Sequence, residues 1–325
     1  MRTGDRWYRG TADAIYQNLN VIEDENPDYV CVFGGDHVYS MDVRQMISYH
    51  MKKNAECSVA AIPVDKEQSA SFGVIQVDED WRITGFQEKP REPVTIPGNP
   101  DKILASMGNY IFNREALVDW LTEDASRESA HDFGNDILPS RFETNRLYVY
   151  DFSQNRVPGQ KEDEMGYWRD VGNLDEYFKA SMEMLEVSPT FNLYNEKWPL
   201  RTFNPSHPPA KFVFADKKNQ RVGIATDSLV SEGCIISGGR IHRCVLSPSV
   251  RINSFCHVEE SILMEGVNVG RHCRIRKAII DKYVNIPPDT EIGYDLKKDR
   301  KRFYVTESGI VVISKKARIP EGVPA

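Results

Sequence analysis

Two spacings of apolar residues divide this chain. In the first half, short apolar runs alternate with stretches whose apolar positions recur every three or four residues. Residues 28–34, 57–64, 72–78, 81–87 and 108–112 read as strands, the middle two turning at Asp78-Glu79-Asp80. Residues 43–53, with Met46, His50 and Met51 toward one face, read as a helix, as do 114–124 and 174–185. An earlier helix buries Ile15, Leu19 and Ile22 and is capped by Thr11. Strands alternating with helices predict an α/β layer with a mostly parallel sheet.

From about 189 to 225 the pattern breaks, and Pro189, Pro199, Pro205, Pro208 and Pro209 predict a linker strapped along a surface. A new regularity follows. Apolar residues recur at Ile235, Ile241, Leu246, Ile252, Val258, Leu263, Val269, Ile275, Ile280, Ile286 and Ile292. The steps are six or five residues, giving a repeat of 17 that makes Ile252, Val269 and Ile286 equivalent. That period is too long for an amphipathic strand and does not fit a helix. It fits a parallel β-helix, in which each coil has three short sides and one inward apolar residue per side. Cys234, Cys244, Cys256 and Cys273 fall beside these positions as filling. The organisation read from this is a domain over 1–190, a linker over 191–225 and a β-helix over 226–325.

Composition narrows the function classes. The 325 residues suffice for two domains, and 40% hydrophobic with 27% charged residues is an ordinary soluble balance. A net charge of −7 argues against a general nucleic-acid binder, though not against a phosphorylated substrate met by a local basic pocket. None of the six cysteines forms a CxxC pair, which argues against zinc and for a reducing, cytoplasmic setting. The first ten residues lack the apolar core of a signal peptide, and no run approaches the roughly 20 apolar residues of a membrane span.

The chemistry begins at VCVFGGDHVYSMD, residues 30–42, where an apolar run ends on two glycines and Asp36. In open α/β sheets ligands sit beyond the carboxyl ends of strands, and glycines let them approach closely. A carboxylate there suits Mg²⁺, which prefers oxygen and bridges to substrate phosphates; the alternative is a carboxylate that caps the following turn. In YWRDVGN, Asp170 precedes a helix that Asn173 can cap. It can share a metal with Asp36, or it can form a surface ion pair with Arg169. In FQEKP, Lys89 offers a point charge to a phosphate and Glu88 an acceptor to sugar hydroxyls, or the two form a solvated pair. WYRGTADA sets Trp7, Tyr8, Gly10 and Thr11 at a helix N-terminus, where anions are favoured. Gly73 and Gly108 each lie by a strand, with Ser106 ahead of the second.

Taken together, WYRGTADA, GGDHVY, FGV, EKP, LASMGNYIF, HDFGND, YWRDVG and WPLRTFNPSHPPAKFV resemble, in order and spacing, the bacterial ADP-glucose pyrophosphorylases (glucose-1-phosphate adenylyltransferases). The resemblance runs through the hexapeptide region and covers essentially the whole chain. It implies a nucleotidyltransferase domain followed by a left-handed β-helix. The implied reaction joins ATP and glucose 1-phosphate into ADP-glucose and pyrophosphate, supplying the sugar donor for glycogen or starch. By the same resemblance Asp36 and Asp170 hold Mg²⁺, with Asp36 the central catalytic carboxylate. Lys89 binds the sugar phosphate; Tyr8, Gly73, Glu88 and Ser106 hold the sugar phosphate or ADP-glucose. Trp7 and Trp168 shape the pocket, and Gly10 and Thr11 lie on the nucleotide side. Two anions must approach and displace a third, so a metal clamp and fixed cations carry the catalysis and no covalent nucleophile is needed.

One departure matters. The glycine-rich loop resembling GGGxGTRLxPLTxxxAKPA, which wraps the ATP phosphates in the family, does not occur in these residues. The expectation is therefore an incomplete catalytic domain with little activity alone and a sheet edge that a partner chain or a protomer of a homotetramer must cover. The family's regulation by anions points to the basic run 297–302, with Arg271, Arg274, Arg276 and Lys277; a solvated face is the plainer reading of such a run. Two other functions compete. One is a non-catalytic regulatory or assembly subunit. The other is a hexapeptide acyltransferase using His242, His257 or His272.

Overall fold

The computed structural model describes residues 7–203, 205–213, 215–216, 218 and 221–320. These fall into two compact units. One comprises Met1–Gly35 and Ser40–Gly166, the other Asp36–Tyr39 and Tyr167–Ala325.

The first unit is built around a six-stranded sheet. Its strands are β1 (Tyr29–Val32), β3 (Cys57–Asp65), β4 (Gly73–Val77), β5 (Ile83–Glu88), β6 (Lys102–Asn113) and β7 (Leu147–Asp151); β2 (His37–Tyr39) belongs to the other unit. β6 is central: one edge pairs with β3, and the other is shared by β4 and β1. The mixed sheet agrees with the expectation, but its balance does not. Among the described strands of this sheet only β3 and β7 run parallel; the other ladders are antiparallel. The twelve-residue β6 causes this. Expected to span only 108–112, it extends back to Lys102 because Ile103, Leu104 and Ala105 are fully buried against β3 and β4. Its three partners, β1, β3 and β4, all run antiparallel to it.

Helices α1 (Thr11–Tyr16), α2 (Leu19–Glu25), α3 (Val43–Lys52) and α4 (Arg114–Ala125) complete the unit. Leu117, Trp120 and Leu121 of α4 meet Phe112 and Phe133 in one apolar cluster. Met46 and His50 of α3 are buried, whereas Met51 is exposed. Positions 46 and 50 are four apart and stack on one face; position 51 is turned a further 100° away. The N-cap of α1 is Gly10 rather than the expected Thr11, whose hydroxyl is engaged elsewhere.

In the second unit, β2 forms an antiparallel ribbon with β8 (Trp168–Asp170), and α5 (Leu174–Glu183) follows, capped as expected by Asn173. Three parallel sheets then make a β-helix. Its inward ladders are Ile236/Ile252/Val269/Ile286, Ala225/Ile241/Val258/Ile275/Ile292 and Val230/Leu246/Leu263/Ile280/Ile313. The expected 17-residue repeat therefore holds from Ile241 through Ile292, with one correction: Ile236, not Ile235, points inward, because the first coil is one residue short. Non-glycine corner residues Asp227, Arg243, Glu260 and Lys277 all take positive φ, which turns the chain sharply between sides. Cys234, Cys244, Cys256 and Cys273 are fully buried in the helix core, as predicted. After Ile292 the coil is interrupted by α6 (Leu296–Asp299) and a short hairpin before Ile313 stacks on Ile280. Among the described residues no helix is long and apolar enough to cross a membrane.

Candidate active site

The two acids that the sequence singles out are brought together within the second unit. Asp36 leads directly into β2 and Asp170 ends β8, and the ribbon's register sets His37 opposite Asp170. The Val171 amide donates to the Asp36 carbonyl at 2.8 Å, extending the ladder past the ends of both strands. The chain then turns at Gly172, whose amide donates to Asp170 Oδ1 at 2.8 Å. A methyl group placed on Gly172 would lie 3.0 Å from Asp170 Oδ1 and 3.1 Å from Asp36 Oδ2. Both carboxylates thus point at one side of a residue that has no side chain to fill the space.

Arg169 is not the partner of Asp170. Its guanidinium binds Glu183 in two contacts, Nη2 to Oε1 at 3.1 Å and Nε to Oε2 at 3.2 Å. Neighbours in a strand point to opposite faces, so the side chain of Arg169 turns away as Asp170 turns in. The Asp36 side chain remains 60% exposed, with His37 Nε2 3.6 Å away as its near neighbour. Trp168 is buried on the same ribbon and meets His37 edge-to-face at 5.4 Å.

These residues suit a divalent cation. Two hard oxygen donors from separate strands converge on an open point. Among the described residues no set of three or more His, Cys, Asp or Glu side chains is placed for a metal. Mg²⁺ does not require one, since it is held by one or two carboxylates with substrate phosphates and water completing its shell.

In the first unit four of the expected sugar-phosphate residues, Gly73, Glu88, Lys89 and Ser106, lie near one another, at the start of β4, the end of β5 and within β6. Glu88 pairs with Gly73 in the antiparallel ladder, and the adjacent pair Val74–Ala105 brings the row to Ser106. A side chain at Gly73 would collide with the ring of Phe86 and crowd Glu88 Oε2 at 3.2 Å. Lys89 leaves the strand with φ of 45° and carries its amine 3.7 Å from Glu88 Oε1, while its amide donates to the Phe72 carbonyl. The EK pair is therefore a real ion pair, and both side chains stay at least half exposed. The Ser106 hydroxyl accepts from the Gly108 amide at 3.3 Å across an irregularity in the β3–β6 ladder.

The WYRGTADA residues have other neighbours. Trp7 is 91% exposed, and Tyr8 accepts a hydrogen bond from Asn18 at 3.1 Å. Gly10 lies so close to the carbonyls of Ala130 and His131 that no side chain fits. Thr11 donates to Asp132 Oδ2 at 3.0 Å and accepts from the Phe133 amide at 3.2 Å. Asp132 in turn accepts from the Gly134 and Asn135 amides. The glycine and threonine are thus locked to the HDFGND turn.

Sequence reasoning missed Gly172, Glu183 and Asp132. Gly172 was visible as the glycine two residues after Asp170. Nothing local marked Glu183, whose importance depends on which way Arg169 faces. Of the competing acyltransferase histidines, His242 lies 3.0 Å from Thr226 Oγ1 and His272 stacks on Phe255 at 4.9 Å.

A nucleotidyl transferase family model matches residues 2–187, and a GlmU-like C-terminal hexapeptide model matches residues 208–313. The second match and the parallel coils are consistent with a left-handed β-helix. Among similar proteins, the glucose-1-phosphate adenylyltransferase of Anaeromyxobacter sp. (strain Fw109-5) is 58% identical over 321 residues, 98% of this chain and 78% of its own length. That of Thermus thermophilus is 55% identical over 96% of this chain and 75% of its own length. A third, from Vibrio parahaemolyticus, is 50% identical over 98% and 78%.

Proposed function

Since the chain belongs to the nucleotidyl transferase family and within it to the glucose-1-phosphate adenylyltransferases, we propose that it acts in the transfer of adenylyl from ATP to glucose 1-phosphate, giving ADP-glucose and pyrophosphate. The convergence of Asp36 and Asp170 over Gly172 carries this reading on the structural side. Mg²⁺ is the cation these carboxylates would hold, and it would neutralise charge on the phosphates as they approach. The chain's own residues then divide the work of binding. Lys89 sets a positive charge against the phosphate of the sugar. Glu88 accepts from sugar hydroxyls, Gly73 lies beside it in the ladder, and Ser106 offers a hydroxyl in the same row. Tyr8 and Trp168 add aromatic surface to the sugar phosphate, and Trp7, Gly10 and Thr11 border the nucleotide. Lys89 and Asp36 are the groups most directly engaged with the reacting phosphates.

No glycine-rich phosphate loop occurs among the 325 residues. We propose that the chain binds glucose 1-phosphate and ADP-glucose and works as a homotetramer or with a partner chain. The six free cysteines support a cytoplasmic setting. For an anionic effector the basic stretch 297–302 is a poor uniform patch: Arg302 is paired with the buried Asp299, and nearby Arg274 is paired with Glu291.

The test is pyrophosphate release from ATP and glucose 1-phosphate with Mg²⁺, alongside direct binding of ADP-glucose, for the parent chain and Asp36→Asn. Turnover that disappears in Asp36→Asn supports catalysis by the chain itself. Binding without turnover supports a sugar-phosphate half-site. A chain that neither turns over nor binds ADP-glucose refutes the proposal.

A further inference from the structure

Within the second unit, α5 is fastened at both ends, and each fastening bears on Asp170. At its C-terminal end Glu183 accepts from Nε and Nη2 of Arg169 and also from the Tyr167 hydroxyl at 3.2 Å. The Arg169 guanidinium lies 5.3 Å from the Tyr167 ring centre, and Tyr167 packs at a tilt against Phe191. A two-pronged charge-assisted pair fixes direction as well as distance. Since Arg169 and Asp170 are consecutive in β8, fixing the rotation of one fixes the direction of the other.

At the N-terminal end Asp175 Oδ1 accepts from Thr306 Oγ1 at 3.3 Å and from the Ser308 hydroxyl. Thr306 is buried, and the Ser308 carbonyl accepts from Lys277 Nζ at 2.5 Å. Lys277 is a β-helix corner residue, so this contact reaches the β-helix coils. Between the two ends, Tyr177, Phe178 and Met182 cover Ile262, Ile279 and Ile310. Ile262 and Ile279 adjoin the inward Leu263 and Ile280 and point outward, and they are 1% and 3% exposed with α5 lying over them. Only three residues, Val171 to Asn173, separate Asp170 from α5.

We infer that the β-helix, acting through α5, holds Asp170 in place beside Asp36, with Glu183 and Asp175 as the positioning residues. Glu183 works through Arg169, and Asp175 works through the Thr306–Ser308 turn. The hexapeptide region is on this account part of the carboxylate site's scaffold. The inference rests on the reading of Asp36 and Asp170 as the metal-holding pair.

Mn²⁺ alone, titrated into the purified chain and followed by electron paramagnetic resonance, separates the two claims. Asp36→Asn and Asp170→Asn should each abolish binding. Glu183→Gln and Asp175→Asn should each weaken it by about tenfold, the low end for losing a residue that orients a ligand. The unfolding midpoint and circular dichroism of each variant are measured alongside. A Thr306→Val/Ser308→Ala double substitution, confined to the β-helix side, should reproduce the Asp175→Asn loss, and adding Asp175→Asn to it should cost nothing more. It also serves as the test should Glu183→Gln fail to fold. Unchanged affinity in the Asp36 and Asp170 variants overturns the metal reading itself. Loss in those two with parental affinity in the brace variants overturns the positioning role alone.

Discussion

Asp36 and Asp170, separated by most of the first unit in sequence, aim their carboxylates at the same face of Gly172. A methyl group there would sit 3.1 Å from one oxygen and 3.0 Å from the other. Gly172 is not among the residues with positive φ, so an alanine meets no backbone strain. Gly172→Ala should therefore fold like the parent and place its methyl where a cation would sit. We expect Mn²⁺ affinity to fall at least about tenfold, as for other disturbances of ligand orientation, with an unchanged unfolding midpoint. Equal affinity in the two proteins would show that the cation binds elsewhere.

Lys89 carries an amine that is more than half exposed beside Glu88. Removing a charged hydrogen-bond donor to a phosphate costs about 1.5–3 kcal/mol, or roughly 10- to 150-fold in affinity. Lys89→Ala should weaken glucose 1-phosphate binding by that factor in calorimetry and leave glucose binding almost unchanged. If both ligands weaken together, Lys89 has a general structural role instead.

Gly10 is pressed against two backbone carbonyls, which cannot swing aside as a flexible side chain can. Gly10→Ala should cost about 1–3 kcal/mol, the usual penalty of forcing atoms into a packed site. Urea unfolding measures it. A change within error would mean that α1 shifts freely from the HDFGND turn.

His50 offers a pH dependence with a definite sign. It is 1% exposed, with Nδ1 2.9 Å from Ser58 and Nε2 3.0 Å from Asn113. Burial pulls its pKa below the ordinary 6.5, and the hydrogen bond with Asn113 opposes this only in part. The unfolded chain therefore takes up the proton first. The stability contributed by neutral His50 is complete above pH 6.5 and is lost as pH falls from there through the lower folded value. Urea unfolding between pH 8 and 5 should show a steeper loss for the parent than for His50→Gln. Parallel curves would assign the acid sensitivity to other groups.

Local pattern and long-range geometry contributed differently to what is known of this protein. The β-helix was legible because each inward residue repeats at 17 positions, so burial of Ile252, Val269 and Ile286 is a periodic property of the chain. Asn173 was legible as a cap because capping involves only its neighbours. The acids themselves stood out, Asp36 for ending an apolar run and Asp170 for preceding that cap. Other features depended on tertiary contacts. The length of β6 and its antiparallel partners follow from which strands bury Ile103 and Leu104, and the short first coil from Ile236 aligning with Ile252. The choice of Glu183 by Arg169 follows from the face of β8 that α5 covers, and no local pattern encodes it. Sequence alone thus marked the candidate residues for the chemistry and determined which segments repeat. The meeting of Asp36 with Asp170, and what holds them there, was decided by the tertiary structure, because orientation about a strand axis is set by the partners packed on each side.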